Sequence, residues 1–301
     1  MDWALPVLRW ALFVDLGIVF GVPVAAVVTG SRTAISQWRP VLTVAALVGI
    51  VLSATGFLLA MANMAGTAPS ELDRTLILSM LSGTALGTAL SVRTVGLVVY
   101  AGLGLLRGSL RTIPLILSGG IAVATLAWSG HAAASQGMAA WLRLAGDVFH
   151  LLAGLSWVGA LVLFAAMVWQ SAIHNAAQWA YTVKALSAFA FAGSVIVAVL
   201  AVSGVANLLF LLPPAELPAL LHSQYGELLL FKLALFCGML GLAGLNRFAL
   251  VPAMEHAQRG ATEHTAILRL RLSVSLELLA GLTVLALVAW AGTLDPLGIG
   301  N

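Results

Sequence analysis

The fold is decided by "DVFHLLAGLSWVGALVLFAAMVW", residues 147–169. After Asp147 the stretch carries no formal charge through Trp169. A bilayer's hydrocarbon core is about 30 Å thick, and a helix needs about 20 apolar residues to cross it. Similar runs lie near 6–29, 41–62, 76–106, 113–134, 186–212, 226–250 and 272–292. Across its 301 residues the chain is 61% hydrophobic and 8% charged, with mean hydropathy +1.05. A water-facing domain carries about 25% charged residues. That scarcity excludes a soluble enzyme, a nucleic-acid binder and a disordered scaffold. Formal net charge is only +3, and no Lys/Arg run suits a phosphate backbone. The single cysteine, Cys237, excludes an intrachain disulfide and any CxxC motif. The expected fold is all-α, a polytopic transmembrane bundle of about eight spans forming one membrane domain, 1–301.

The third run is too long for one straight crossing and contains Arg93. It predicts a short amphipathic or re-entrant piece over 72–86, followed by a span from about Leu86 to Leu106. The first run lacks a basic n-region and an A-x-A cleavage site, and reads as a retained helix. Lys/Arg asymmetry orients the bundle. The loops after spans 1, 3, 5 and 7 hold Arg32, Arg39, Arg107, Arg111, Lys184, Arg247, Arg259, Arg269 and Arg271. The opposite side holds Arg9, Arg74, Arg143 and Lys232. The richer side is expected to be cytoplasmic, with both termini periplasmic in a bacterial inner membrane.

A weak internal echo is present. Gly87-x5-Arg93 parallels Gly226-x5-Lys232, and Ser53-x-x-Gly56 loosely parallels Ser203-Gly204. Two parallel four-helix halves, 1–140 and 141–301, would produce it, as would chance similarity between Gly- and Leu-rich helices. Gly17-x3-Gly21 and Gly83-x3-Gly87 are patterns that let helices approach closely.

Ionisable groups at membrane depth mark sites or buried partners. Asp15, Arg93, Lys232 and Glu277 are such groups. Arg93 and Asp15 could neutralise one another or line a wet cavity. Lys232 can snorkel toward headgroups, whereas Glu277 has shorter reach and needs a partner. A structural pair and a cation or proton path are both open readings.

His131 in "WSGHAAA" and His150 in the opening stretch flank one short periplasmic loop. Two neutral imidazoles close together suit a borderline or soft transition metal. Trp157, seven residues after His150, lies on the same helix face and could form an aromatic floor. His222 falls in the next periplasmic loop, while His174, His256 and His264 lie in cytoplasmic loops. In "LLAMANMAG" (58–66), Met61 and Met64 are three apart on one face. Thioethers select Cu(I) over Zn²⁺, Mg²⁺ or Ca²⁺, although methionine also fills gaps in apolar packing.

At these residues the sequence resembles the copper resistance protein D family (CopD), including its YebZ-type members. "SGHA" and "FHLLAGLSWVGALVL" are similar to its GHA and HLLAAxxWxGxL segments. "VSGVANL", "YGELLLFKLALFCGMLGLAGLNRFALVP" and "LRLSVSLELLAGLTVLALVAWAGTLDP" resemble its later elements in the same order. The resemblance implies an eight-helix inner-membrane protein of copper homeostasis that moves copper, as Cu(I) or Cu(II). It also implies a separate periplasmic copper-binding partner of the CopC type. His131 and His150 fall on family motif positions and are the expected metal ligands. Trp157, Ser203, Tyr225, Lys232, Asn246, Arg247 and Glu277 fall on others, with pathway or structural roles. Met61 and Met64 are inferred from their chemistry alone.

The leading expectation is copper captured at His131 and His150, with Met61 or Met64, then passed by Asn63, Asn207, Asp15 and Glu277. No GxxxxGK[ST] loop offers ATP as the energy source. One alternative is a haem b electron-transfer protein using the same histidines. Another is a non-transporting docking protein for a copper chaperone. Neither HExxH nor GxSxG occurs, so no enzyme is expected.

Overall fold

The computed structural model describes residues 3–106, 112–129, 138–171, 175–211, 223–256 and 261–294. Its helices are α1 (Ala4–Val28), α2 (Arg32–Ala65), α3 (Arg74–Gly83), α4 (Ala85–Leu105) and α5 (Thr112–Ala124). They continue as α6 (Met138–Gln170), α7 (Ala176–Leu211), α8 (Gln224–Leu245), α9 (Val251–His256) and α10 (Ala261–Ala291). Short 3₁₀ turns cover Pro69–Glu71 and Thr125–Ser129, and a π-turn spans Asn246–Leu250 between α8 and α9. No strand occurs among the described residues.

Seven helical segments are long and apolar enough to span a membrane, and the fourth expected crossing is the shorter segment Thr112–Trp128. It passes from α to 3₁₀ at Thr125, whose hydroxyl donates to the Ala122 carbonyl at 2.7 Å. Large apolar side chains such as Val44, Val51, Val95, Val98, Phe191 and Val202 are exposed. In water such surface would aggregate; in lipid it costs nothing.

α1 is the central post. It packs against α2, α5, α6 and α10, and most of its second half is buried. A helix apolar on every side belongs inside a bundle. Its contact with α6 is made at Gly21 and Gly159. A Cβ on Gly21 would lie 2.3 Å from the Leu155 carbonyl, and one on Gly159 would lie 2.4 Å from Gly21 Cα. The backbones therefore meet directly, as the Gly17-x3-Gly21 spacing predicts. Gly83 behaves otherwise: nothing lies within 4 Å of a Cβ built there.

The long third run is split as expected. Thr84 ends α3 and caps α4, accepting from the Gly87 N–H at 3.1 Å. A Cβ on Gly87 would strike the Leu81 carbonyl, so this turn requires glycine. Ser223 caps α8 in the same way, accepting from the Gly226 N–H at 3.1 Å. Each helix then carries a basic residue six positions after that glycine, Arg93 or Lys232. α2 ends on Gly66, whose φ of 65° is the left-handed conformation that closes many helices.

The packing repeats along the chain. α1 contacts α2 and α5, while α6 contacts α7 and α10; α4 packs on α5, and α8 on α10. One pair differs. α2 and α4 pack closely, and a Cβ on Gly104 would strike the Thr43 hydroxyl. A cavity of about 540 Å³ instead lies between α7 and the α8–α9 junction.

Candidate functional site

His150 sits three turns into α6, facing Ser203 on α7. Its Nδ1 lies 2.9 Å from Ser203 Oγ. The Ser203 hydroxyl already donates to the Val199 carbonyl at 2.5 Å. Ser203 Oγ is therefore the acceptor, and Nδ1–H of the imidazole the donor. That choice leaves Nε2 with its lone pair, the arrangement that orients a metal-binding histidine. Gly204 leaves room beside the ring: a Cβ there would lie 3.4 Å from His150 Cε1. Lys232 of α8 stands within Coulombic range of the imidazole.

Polar groups continue along this seam in both directions. One turn toward the start of α6, Asn207 Oδ1 lies over Gly146 and is buried without a partner. Tyr225, at the start of α8, is close enough to Asp147 and Arg143 to feel both charges. Two turns the other way, Trp157 Nε1 donates to Glu277 Oε1 at 3.0 Å. Asn246 Nδ2 donates to Glu277 Oε2 at 3.1 Å, and Asn246 Oδ1 is buried with no donor. Glu277 is 4% exposed, so it has the partners its short side chain requires. Trp157 meets Phe236 edge-on at 6.0 Å.

Asn246 opens the π-turn, and π-turns inside α-helices recur at functional sites. Beyond it lies the 540 Å³ cavity, lined by Trp157, Glu277, Asn246, Arg247 and Ser194 among apolar side chains. Arg247 NH1 donates to Ser194 Oγ at 2.8 Å and lies over Phe248. Sequence reasoning missed Ser194, because a serine within a long apolar helix carries no signal until its neighbour is known.

Other expected residues lie apart. Arg93 and Asp15 form no ion pair, so of the two open readings mutual neutralisation is not what the structure shows. Arg93 Nε donates to Thr125 Oγ1 at 2.8 Å, while Asp15 lies against Gly49 and Leu97 with Oδ2 unpartnered. The cause is register: Asp15 meets α4 one turn beyond Arg93. Met61 is buried, whereas Met64 is 74% exposed and Asn63 is exposed beside it. His131 and His222 lie outside the described residues. Among the described residues, no three His, Cys, Asp or Glu side chains converge as a metal-binding group.

Residues 1–141 match the family model described as copper resistance protein D-like, N-terminal domain, and residues 183–291 match that for copper resistance protein D. The chain is 38% identical over 298 residues to "Copper resistance protein D" of Pseudomonas syringae pv. tomato, covering 96% of this chain and 95% of that protein. It is 28% identical over 171 residues to "Inner membrane protein YebZ" of Escherichia coli (strain K12), covering 57% and 55% respectively. No solved structure matches it.

Proposed function

Because the chain belongs to the copper resistance protein D family, we propose that this membrane copper homeostasis protein captures copper at the periplasmic face and carries it inward. The observation that carries the reading is the 2.9 Å contact of His150 Nδ1 with Ser203 Oγ, which favours the tautomer whose Nε2 offers a lone pair to a soft or borderline metal. His131 supplies the second imidazole, and Met61 and Met64, on α2 apart from His150, are left out of the ligand set. A periplasmic copper-binding protein of the CopC type delivers the ion as a separate chain. The start of α6 faces the periplasm in this reading, as do both termini. It follows from the Lys/Arg excess at the opposite end of the bundle.

Copper is the cargo, and the seam between α6, α7, α8 and α10 is its route. Asn207, His150 and Ser203 lie on the outer half of that route; Glu277 and Asn246 lie on the inner half. Arg247 stands at the cytoplasmic mouth, where the cavity gives the ion room to leave. Asp15, Arg93 and Asn63 stand outside this seam. No catalytic residue is assigned, and movement follows a gradient or proton coupling.

The chain reads as two parallel four-helix halves, 1–140 and 141–301. The repeated packing and the matching caps of α4 and α8 support this division. In it, the first half is the closed scaffold and the second the conduit. Halves expressed separately, with the cut between Ser129 and Met138, should reassemble in one membrane; failure to copurify would count against the division.

Copper accumulation and tolerance in cells expressing wild type or His131→Ala/His150→Ala test the function. Unchanged uptake and tolerance in the double variant would sink the site assignment. A Soret band in the purified protein would instead make the histidines haem ligands. Vesicles that bind copper without moving it would leave only a docking role.

A further inference from the structure

A second polar cavity lies in the first half, away from the copper route. It measures about 150 Å³ and is enclosed by α1, α2, α4 and the Thr125–Ser129 turn. Its polar lining is Arg9, Arg93 and Ser53, and no carboxylate contributes. Ser53 is self-satisfied, donating to the Gly49 carbonyl at 2.6 Å.

Arg93 is 7% exposed, yet among the described residues Nε alone of its nitrogens has an acceptor. A guanidinium carries five N–H donors, so four are left over. Thr125 is a neutral partner, and its hydroxyl donates to the Ala122 carbonyl. Asp15 is the sole carboxylate on α1, α2, α4 and α5, and no ion pair joins it to Arg93. Burying an unpaired cation is costly, and membrane proteins almost always pair such a group or set it against a wet cavity. Arg9 of α1 also lines this space, but its guanidinium is committed to the end of α10, with NH1 donating to the Gly292 carbonyl at 2.7 Å.

We propose that this cavity binds a small monovalent inorganic anion, a halide such as chloride, held by Arg93. A space of about 150 Å³ holds a halide and a few waters at roughly 30 Å³ per water. The anion is the missing counter-charge of Arg93. The site is independent of copper: none of its lining residues belongs to the α6–α7–α8–α10 seam.

The test uses the full chain purified in detergent, with gluconate replacing chloride at constant ionic strength. Chloride and bromide should each raise the unfolding temperature saturably, by about 5 °C at saturation, and gluconate should not. Arg93→Gln should abolish the rise, and Asp15→Asn should retain it. Equal unfolding temperatures in chloride and gluconate would overturn the proposal, as would an undiminished rise in Arg93→Gln. If Arg93→Gln fails to accumulate, equilibrium binding of radioactive chloride to Arg93→Lys decides. That variant keeps the charge but loses the fork, so affinity should fall about tenfold; unchanged affinity would overturn the assignment.

Discussion

Replacing Gly159 with alanine adds one methyl group where α1 and α6 touch backbone to backbone. The new Cβ would lie 2.4 Å from Gly21 Cα and 2.5 Å from the Gly17 carbonyl, whereas ordinary contact begins at 3.4 Å. Neither obstacle is a side chain that can rotate away, so the helices must separate by about 1 Å. A gap of that size forfeits a quarter to a half of each dispersion contact it opens. Overpacking of a tight core costs about 1–3 kcal/mol, and loss along this crossing should bring Gly159→Ala to about 3 kcal/mol or more. Alanine is the better helix former by about 1 kcal/mol, so the same change should help wherever space is free. Gly102 and Gly241 are such places, with nothing within 4 Å of an added Cβ. Thermal unfolding in detergent should therefore show Gly159→Ala lowered by on the order of 5–10 °C. Gly102→Ala and Gly241→Ala should be unchanged or slightly raised. A Gly159→Ala protein as stable as wild type would refute the direct backbone contact, and with it the placement of α1 against α6.

Three further outcomes follow from single contacts. Ser203→Ala removes the acceptor that sets the His150 tautomer; copper affinity should fall about 10–100-fold by titration while the unfolding temperature barely moves. Trp157→Phe leaves Glu277 with Asn246 as its one donor, and should cost about 1–3 kcal/mol in denaturant unfolding. Arg271 closes the end of α6 by donating to the Val168 and Ser171 carbonyls at 2.9 and 2.8 Å, between the rings of Trp169 and Trp179. Arg271→Gln should cost about 1–3 kcal/mol by the same measurement, with no change in copper affinity.

The spans were readable because a bilayer imposes a length on apolar runs that few other environments impose. The break between α3 and α4 was readable too: an arginine and excess length in the third run required one. Glu277's need for a partner followed from its short side chain, but which partner did not. Asn246 opens the π-turn, and Pro252 four residues after Phe248 was its one signal in "LNRFALVP", because a proline leaves the carbonyl four residues back without its helical donor. The missing Asp15–Arg93 pair has a different cause: which turn of α4 meets Asp15 depends on how far α1 and α4 are shifted along one another, and neither helix's sequence states that shift. Methionines illustrate the same limit, since spacing of three places Met61 and Met64 near one face but only packing buries the first and exposes the second.

Copper flux into vesicles reconstituted with purified wild type or His150→Ala decides whether His150 lies on the route. Copper should accumulate in the lumen with wild type and enter at least tenfold more slowly with His150→Ala, the two proteins having equal unfolding temperatures. Equal flux through both would contradict that prediction and remove His150 from the copper route.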